Sequence, residues 1–160
     1  MEPKTTSLDV ELAARLRLAI TRTARRLRQE ASEGFSPSQV AALATLERHG
    51  PLSPSELADR EQIKRPTATK VIGRLAEAGL VERTRDPDDG RAALVSLTAE
   101  GTALLRRVRA RKTAYLARRL HELDADDTRA LARAAAVLER LLETDIKAAS
   151  SASRPGAARE

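Results

Sequence analysis

Residues 52–101 read LSPSELADREQIKRPTATKVIGRLAEAGLVERTRDPDDGRAALVSLTAEG, and a helical period gives way to strand alternation inside them. Ser53-Pro54-Ser55-Glu56 is a capping box with proline at the first helical position. The Ser53 hydroxyl accepts from a free N-terminal amide, and Glu56 reaches back to the Ser53 amide. The pattern predicts a short helix over residues 54–61 that buries Leu57 and Ala58. Gln62-Ile63-Lys64-Arg65 follows as a turn, with Ile63 as the apolar plug beneath it. Pro66 is expected to start a second helix, because its fixed φ suits the first position and discourages Arg65 from joining. Ala68, Val71, Ile72, Leu75 and Ala78 share one face of that helix. Lys64, Arg65, Thr67, Thr69, Lys70 and Arg74 are offered by the other side, and Gly79 ends it as a left-handed residue. Two helices joined by a tight turn, the second with a polar, basic face, form a helix-turn-helix.

Residues 80–85 and 92–97 each alternate as short strands, and Asp86-Pro87-Asp88-Asp89-Gly90-Arg91 between them is rich in turn formers. This is a β-hairpin with a long charged tip, a wing. Asp89 stands two residues before Arg91 and is suited to hold its guanidinium by a charge-assisted hydrogen bond. A minor groove about 6 Å wide admits an arginine more easily than a helix, so Arg91 is expected there.

Leu75-Ala76-Glu77-Ala78-Gly79-Leu80-Val81-Glu82-Arg83, then residues 86–91, then Leu97-Thr98-Ala99-Glu100-Gly101 resemble the MarR family of bacterial transcriptional regulators. Ser36-Pro37-Ser38-Gln39 and Ser53-Pro54-Ser55-Glu56-Leu57-Ala58 fit the same pattern. The likeness spans about residues 8–142, and the wing with its trailing Leu-Thr and Gly is its specific part. It implies an obligate homodimer of winged helix-turn-helix subunits, often a repressor released by a small ligand.

Composition is consistent with a helical core. Phe35 and Tyr115 are the only aromatic residues among 160, so Leu, Val, Ile and Ala must fill the interior. One domain of mainly α class with a small β-wing is expected. Cysteine is absent, which excludes disulfides, thiolate metal sites and cysteine redox sensing. Neither a signal peptide nor an apolar run of about 18 residues is evident, so a cytoplasmic protein without membrane contact is expected.

The formal charge of +6 is unevenly placed. Residues 53–91 hold eight Lys or Arg against eight Asp or Glu, whereas residues 98–123 hold seven against two. The winged region therefore cannot bind DNA through bulk charge and must segregate it onto one face. The later arginine-rich helix is read first as a solvated face; the sharper alternative has Arg106, Arg107, Arg109 or Arg111 touching DNA backbone.

Residues 1–7 are polar and expected to be disordered. A long amphipathic helix over about residues 8–31 carries Leu8, Leu12, Leu16, Ile20 and Leu27, and Glu33-Gly34-Phe35 breaks it. Ser36 caps a helix to about His49 that buries Val40, Leu43, Ala44 and Leu46. Leu52 is expected to add a one-residue strand to the sheet. Thr98 caps a helix to about Leu120 with Leu104, Leu105, Val108, Tyr115, Leu116 and Leu120 as its stripe. Asp124, Asp126 and Asp127 favour the N-terminus of a last helix, about residues 125–146, which carries Leu131, Leu138, Leu141 and Leu142. From residue 148 a flexible tail is expected. Residues 8–34 and 102–147 are assigned to a dimerisation layer, with Leu8, Leu12, Leu16, Leu116, Leu120, Leu131, Leu138, Leu141 and Leu142 as its contacts. Residues 35–101 are assigned to DNA binding.

Within that region Pro66, Thr67, Thr69, Lys70 and Arg74 are the recognition-helix candidates, and Lys64 and Arg65 in the turn suit phosphates. Ser53 and Ser55 are phosphate-contact candidates, although capping is enough to explain them. Arg83, Arg85, Asp89, Gly90 and Arg91 are the wing candidates; Arg83 and Arg85 serve equally as cross-strand partners of Glu82 or Asp86. His49 and His121 each stand at a helix end, where the dipole favours a protonated imidazole. The family resemblance implies an effector pocket between the dimer layer and the winged region. Phe35, Arg15, Arg17 and Arg22 are its candidates, and scarce aromatics favour a lipid-like or large apolar ligand, or none.

No enzyme is expected. A Gly-rich phosphate loop, a histidine pair at metal spacing and a serine elbow are all missing. Asp86, Asp88 and Asp89 lack the twelve-residue calcium pattern, and Arg91 opposes a cation. No catalytic residue, metal or cofactor is assigned. The expected partners are double-stranded DNA with a pseudo-palindromic operator, a second copy of the chain and a small molecule of unknown identity. The competing readings are a sequence-tolerant architectural DNA-binding protein and a winged-helix protein-interaction module.

Overall fold

Three capping boxes start the first three helices. The computed structural model describes residues 6–85 and 93–152. Helix α1 is Ser7–Glu30, α2 Pro37–His49, α3 Pro54–Arg60 and α4 Arg65–Glu77. Strands β1 (Val81–Arg85) and β2 (Ala93–Leu97) follow, then α5 (Ala99–Leu120) and α6 (Ala125–Ala152). In α2 and α3 the N-cap serines Ser36 and Ser53 exchange hydrogen bonds with Gln39 and Glu56 as expected. In α1, Thr6 and Asp9 do the same, so regular structure begins at Ser7, inside the stretch expected to be disordered. At the other end α6 continues to Ala152, past the expected start of the tail. Residues 1–5 and 153–160 lie outside the described residues.

The chain divides into two compact units after Leu116. In the first, α2, α3, α4 and the β-hairpin pack on one another. Leu43, Leu57, Ile72, Leu75, Val95 and Leu104 are fully buried there. The strands are antiparallel, with Val81 opposite Leu97 and Arg85 opposite Ala93. Leu52 bridges to Val95 through two backbone hydrogen bonds of 3.0 and 2.8 Å, the expected one-residue third strand.

The end of α4 is a Schellman motif. Leu80 N–H reaches the Leu75 carbonyl, Gly79 N–H reaches Ala76, and Gly79 takes φ 70°. Thr98 joins this corner to the next helix: its hydroxyl donates to the Gly79 carbonyl at 2.7 Å and accepts from Gly101 N–H at 3.1 Å. A Cβ on Gly101 would lie 2.2 Å from the Leu80 carbonyl oxygen, so only glycine allows α5 this close.

Two expectations need correction. Ala78 is exposed, because the helix ends at Glu77 and its capping residue turns away from the core. The first half of α5 does not belong to a separate layer, since Leu104, Leu105 and Val108 are buried in the winged-helix core.

The second unit comprises the end of α5 and α6. Asp124 caps α6, accepting from Asp127 N–H at 2.8 Å. Leu120, Leu123, Leu131, Leu141 and Leu142 are exposed, and Leu138 is half-buried.

Candidate nucleic-acid interface

The turn between α3 and α4 is a second Schellman motif. Ile63 N–H reaches the Ala58 carbonyl at 3.0 Å and Gln62 N–H reaches Asp59 at 3.2 Å. Gln62 occupies the left-handed position with φ 52°, the one non-glycine residue at positive φ among those described. Ile63 is half-buried rather than a core plug, so backbone hydrogen bonds and burial share the closing of this turn. Thr45 ties the turn to α2 through a side-chain hydrogen bond to Glu61.

Helix α4 starts one residue earlier than Pro66 suggests. Lys64 is the N-cap, without a side-chain capping bond, Arg65 is the first helical residue and Pro66 the second. Proline has no amide to lose anywhere in the first turn, so the second position costs it nothing there. Ala68, Ile72 and Leu75 are buried and fix the rotation of the helix. That rotation leaves Lys64, Arg65, Pro66, Thr67, Thr69, Lys70 and Arg74 exposed. The Thr69 hydroxyl donates to the Arg65 carbonyl at 3.1 Å and keeps its lone pairs for an outside donor. None of the four cations has an ion pair among the described residues. Gly73 lies in the same outward stripe as Pro66, Lys70 and Glu77. A Cβ there meets nothing within 4 Å, so packing within the chain does not require glycine. The sequence pattern did not single Gly73 out, although a glycine inside a helix is itself a signal.

In the wing, Arg83 is exposed opposite Val95, and no ion pair to it is found among the described residues. The Ser96 hydroxyl reaches Glu82 across the strands at 3.4 Å. Arg85 ends β1. Asp89, Gly90 and Arg91 lie outside the described residues. Ser53 and Ser55 are half-exposed, Ser53 being engaged in its cap.

The arginines of α5 behave differently from those of α4. Arg107 donates to Glu33 at 3.3 Å and to Glu100 at 3.0 Å. Arg111 lies 3.0 Å from the other Glu33 oxygen, an ion pair without a directed hydrogen bond. Arg109 clasps Glu47 through both terminal nitrogens, one donation measuring 3.1 Å. This bond holds the Glu47 carboxyl below its ordinary pKa. Arg107, Arg109 and Arg111 thus tie α5 to α2 and to the α1–α2 loop, a role invisible in a count of charges.

The family model for the MarR family matches residues 35–93. An uncharacterised HTH-type transcriptional regulator of Mycobacterium leprae is 38% identical over 84% of this chain and 95% of its own. The chain belongs to the MarR family of transcriptional regulators. The HTH-type transcriptional repressor MdtR of Bacillus subtilis is 36% identical over 72% of this chain and 74% of its own. A putative transcriptional regulator of Pseudomonas aeruginosa has a crystal structure of TM-score 0.75 and 35% identity, covering 86% of this chain and 99% of that one. As a MarR regulator the chain is a DNA-binding winged helix-turn-helix protein and not an enzyme. Among the described residues no group of three metal-ligating side chains exists, and no helix is long and apolar enough to cross a membrane.

This MarR-family chain also contains an open cavity of about 810 Å³. Helix α1 contributes Ala24, Leu27 and Arg28 and its capping residue Ala31; α2 contributes Pro37, Val40, Ala41 and Ala44 at the same helical spacing. Val108 and Lys112 close it from α5, and Phe35 from the loop. Phe35, an effector-pocket candidate, is among the residues that line this cavity. Arg15, Arg17 and Arg22 do not line the cavity, because its α1 wall begins only at Ala24. Sequence reasoning missed Arg25, Arg28 and Lys112, which only the crossing of three helices brings together.

Proposed function

We propose that this MarR-family chain is a cytoplasmic, homodimeric repressor that recognises a pseudo-palindromic operator in double-stranded DNA. Helix α4 enters the major groove with Thr67, Thr69, Lys70 and Arg74 toward bases and phosphates, and Lys64 and Arg65 contact phosphates. The wing, through Arg83, Arg85 and Arg91, with Asp89 and Gly90 shaping the tip, follows the minor groove. A small molecule in the α1–α2–α5 cavity releases the operator. The observation that carries this reading is the basic α4 face, whose four cations have no ion pair among the described residues.

Dimerisation is supported by the ends of the chain. Leu8 is 74% exposed and Leu142 63%, and Leu12, Leu16, Leu116, Leu120, Leu131 and Leu141 are also exposed. Apolar side chains this numerous along helices need a partner surface. Isologous pairing of two copies supplies one and spaces two recognition helices about one DNA turn apart. Repression is supported by similarity to MdtR, a repressor by name. Docking through the α4 face instead would call for exposed aromatic or Met side chains, and that face carries Thr, Lys and Arg.

Selection of bound sites from random DNA tests the proposal, with sedimentation of the free protein. A pseudo-palindrome with half-sites about 10 bp apart and a sedimenting dimer are expected. No consensus, with affinity set by salt alone, would indicate architectural binding; no DNA binding would leave a docking module.

A further inference from the structure

We propose that the cavity takes an unbranched aliphatic carboxylate, a free fatty-acid-type anion, rather than an aromatic acid. The inference rests on the effector reading above for its regulatory consequence but not for binding itself.

The uncharged lining is mostly aliphatic. Ala24, Leu27, Ala31, Val40, Ala41, Ala44 and Val108 supply it, with Gln29 and Ser32 as its neutral polar members. Phe35 is the single ring, so a flat aromatic ligand finds no second face to stack against. The volume of about 810 Å³ lies in the upper part of the roughly 300–1,000 Å³ range of small-molecule pockets. A flexible chain can fill such a space through dispersion and burial alone.

The lining is also cationic: it includes Arg25, Arg28 and Lys112 and no described carboxylate. The nearby acids are already committed: Glu30 pairs with Arg26 at 2.8 Å, Glu33 with Arg107 and Arg111, and Glu47 with Arg109. Arg25, Arg28 and Lys112 have no ion pair among the described residues. A largely apolar cavity whose lining carries three cations fits an anion whose tail is apolar.

Calorimetric titration of the full-length protein with octanoate, decanoate and dodecanoate, all kept below micelle formation, reads the inference directly. Affinity should rise roughly three- to fourfold per added methylene. Methyl dodecanoate, without the charge, and benzoate, without the chain, should each bind at least about tenfold more weakly than dodecanoate. R28Q with K112Q should weaken dodecanoate about tenfold while leaving the chain-length trend intact. A44F should abolish binding of the longest chain first, and its operator affinity reports that it folds. Equal affinity across the chain series, benzoate binding as tightly as dodecanoate, or no binding of any alkanoate overturns the inference. Operator affinity measured with and without dodecanoate separates the two claims. If dodecanoate binds with the expected trend and the operator stays bound, the ligand class stands and the effector reading falls.

Discussion

Helices α4 and α5 both display arginines, yet they differ in what those arginines face. On α4, Lys64, Arg65, Lys70 and Arg74 are exposed around a face with no acid in ion-pair reach among the described residues. On α5, Arg107, Arg109 and Arg111 are held by Glu33, Glu47 and Glu100. The more basic segment commits Arg107, Arg109 and Arg111 to acids within the chain, whereas the four α4 cations in the segment of zero net charge have no ion pair among the described residues. Charge location, more than charge total, therefore separates the helix proposed to read DNA from the one whose arginines serve the fold.

The largest effect is expected where that contrast is attacked directly. Lys70→Ala and Arg74→Ala should each cost about 1–3 kcal/mol of operator binding if they make base contacts, with the melting temperature unchanged. Gel-shift titration beside calorimetric melting checks this; a loss of stability in place of affinity would place these side chains in the fold. Gly73→Ala sharpens the comparison further. It should raise stability by about 1 kcal/mol, as expected for glycine in a helix interior, and weaken operator binding if the added methyl stands on the side proposed to enter the groove. Equal or tighter operator binding would show that α4 does not need a low profile at Gly73.

On the α5 side the effects are smaller and of the opposite kind. Arg107→Gln should lower stability only slightly, since the side chain is 46% exposed and its ion pairs are screened, and leave operator affinity unchanged. The smallest effect concerns pH. Arg109 depresses the folded-state pKa of Glu47, so the pair's stabilisation is complete above the ordinary glutamate pKa. It is lost as pH falls through the lowered folded value. Acid unfolding of Glu47→Gln should therefore show a shallower pH dependence than the parent; identical profiles would mean the pair contributes nothing measurable.

Much of the fold was legible because its signals are local. Ser36 and Ser53 announce their helices within four residues, Gly79 announces its stop, and Leu52 was placed on the sheet. Asp in place of Glu or Gln hid the Thr6–Asp9 box. Gln62 hid the left-handed turn, since glutamine is not the residue that conformation favours. The candidate site divides likewise. Recognition-helix candidates follow from the period of Ala68, Ile72 and Leu75, so their exposure was foreseeable. The α5 arginines were ambiguous because Glu33 and Glu47 stand 74 and 62 residues away along the chain. Arg15 does not line the cavity, because composition cannot say where along α1 a cavity wall begins.

The most direct measurement is the salt dependence of operator affinity for three proteins: the parent, K70A/R74A, and R107Q/R109Q. If α4 carries the phosphate and base contacts of a dimer, the slope of log K against log salt falls by on the order of 3–4 in K70A/R74A. It stays at the parental value in R107Q/R109Q. A preserved slope in the first variant, with a reduced slope in the second, would contradict the account and move the DNA-facing charge to α5.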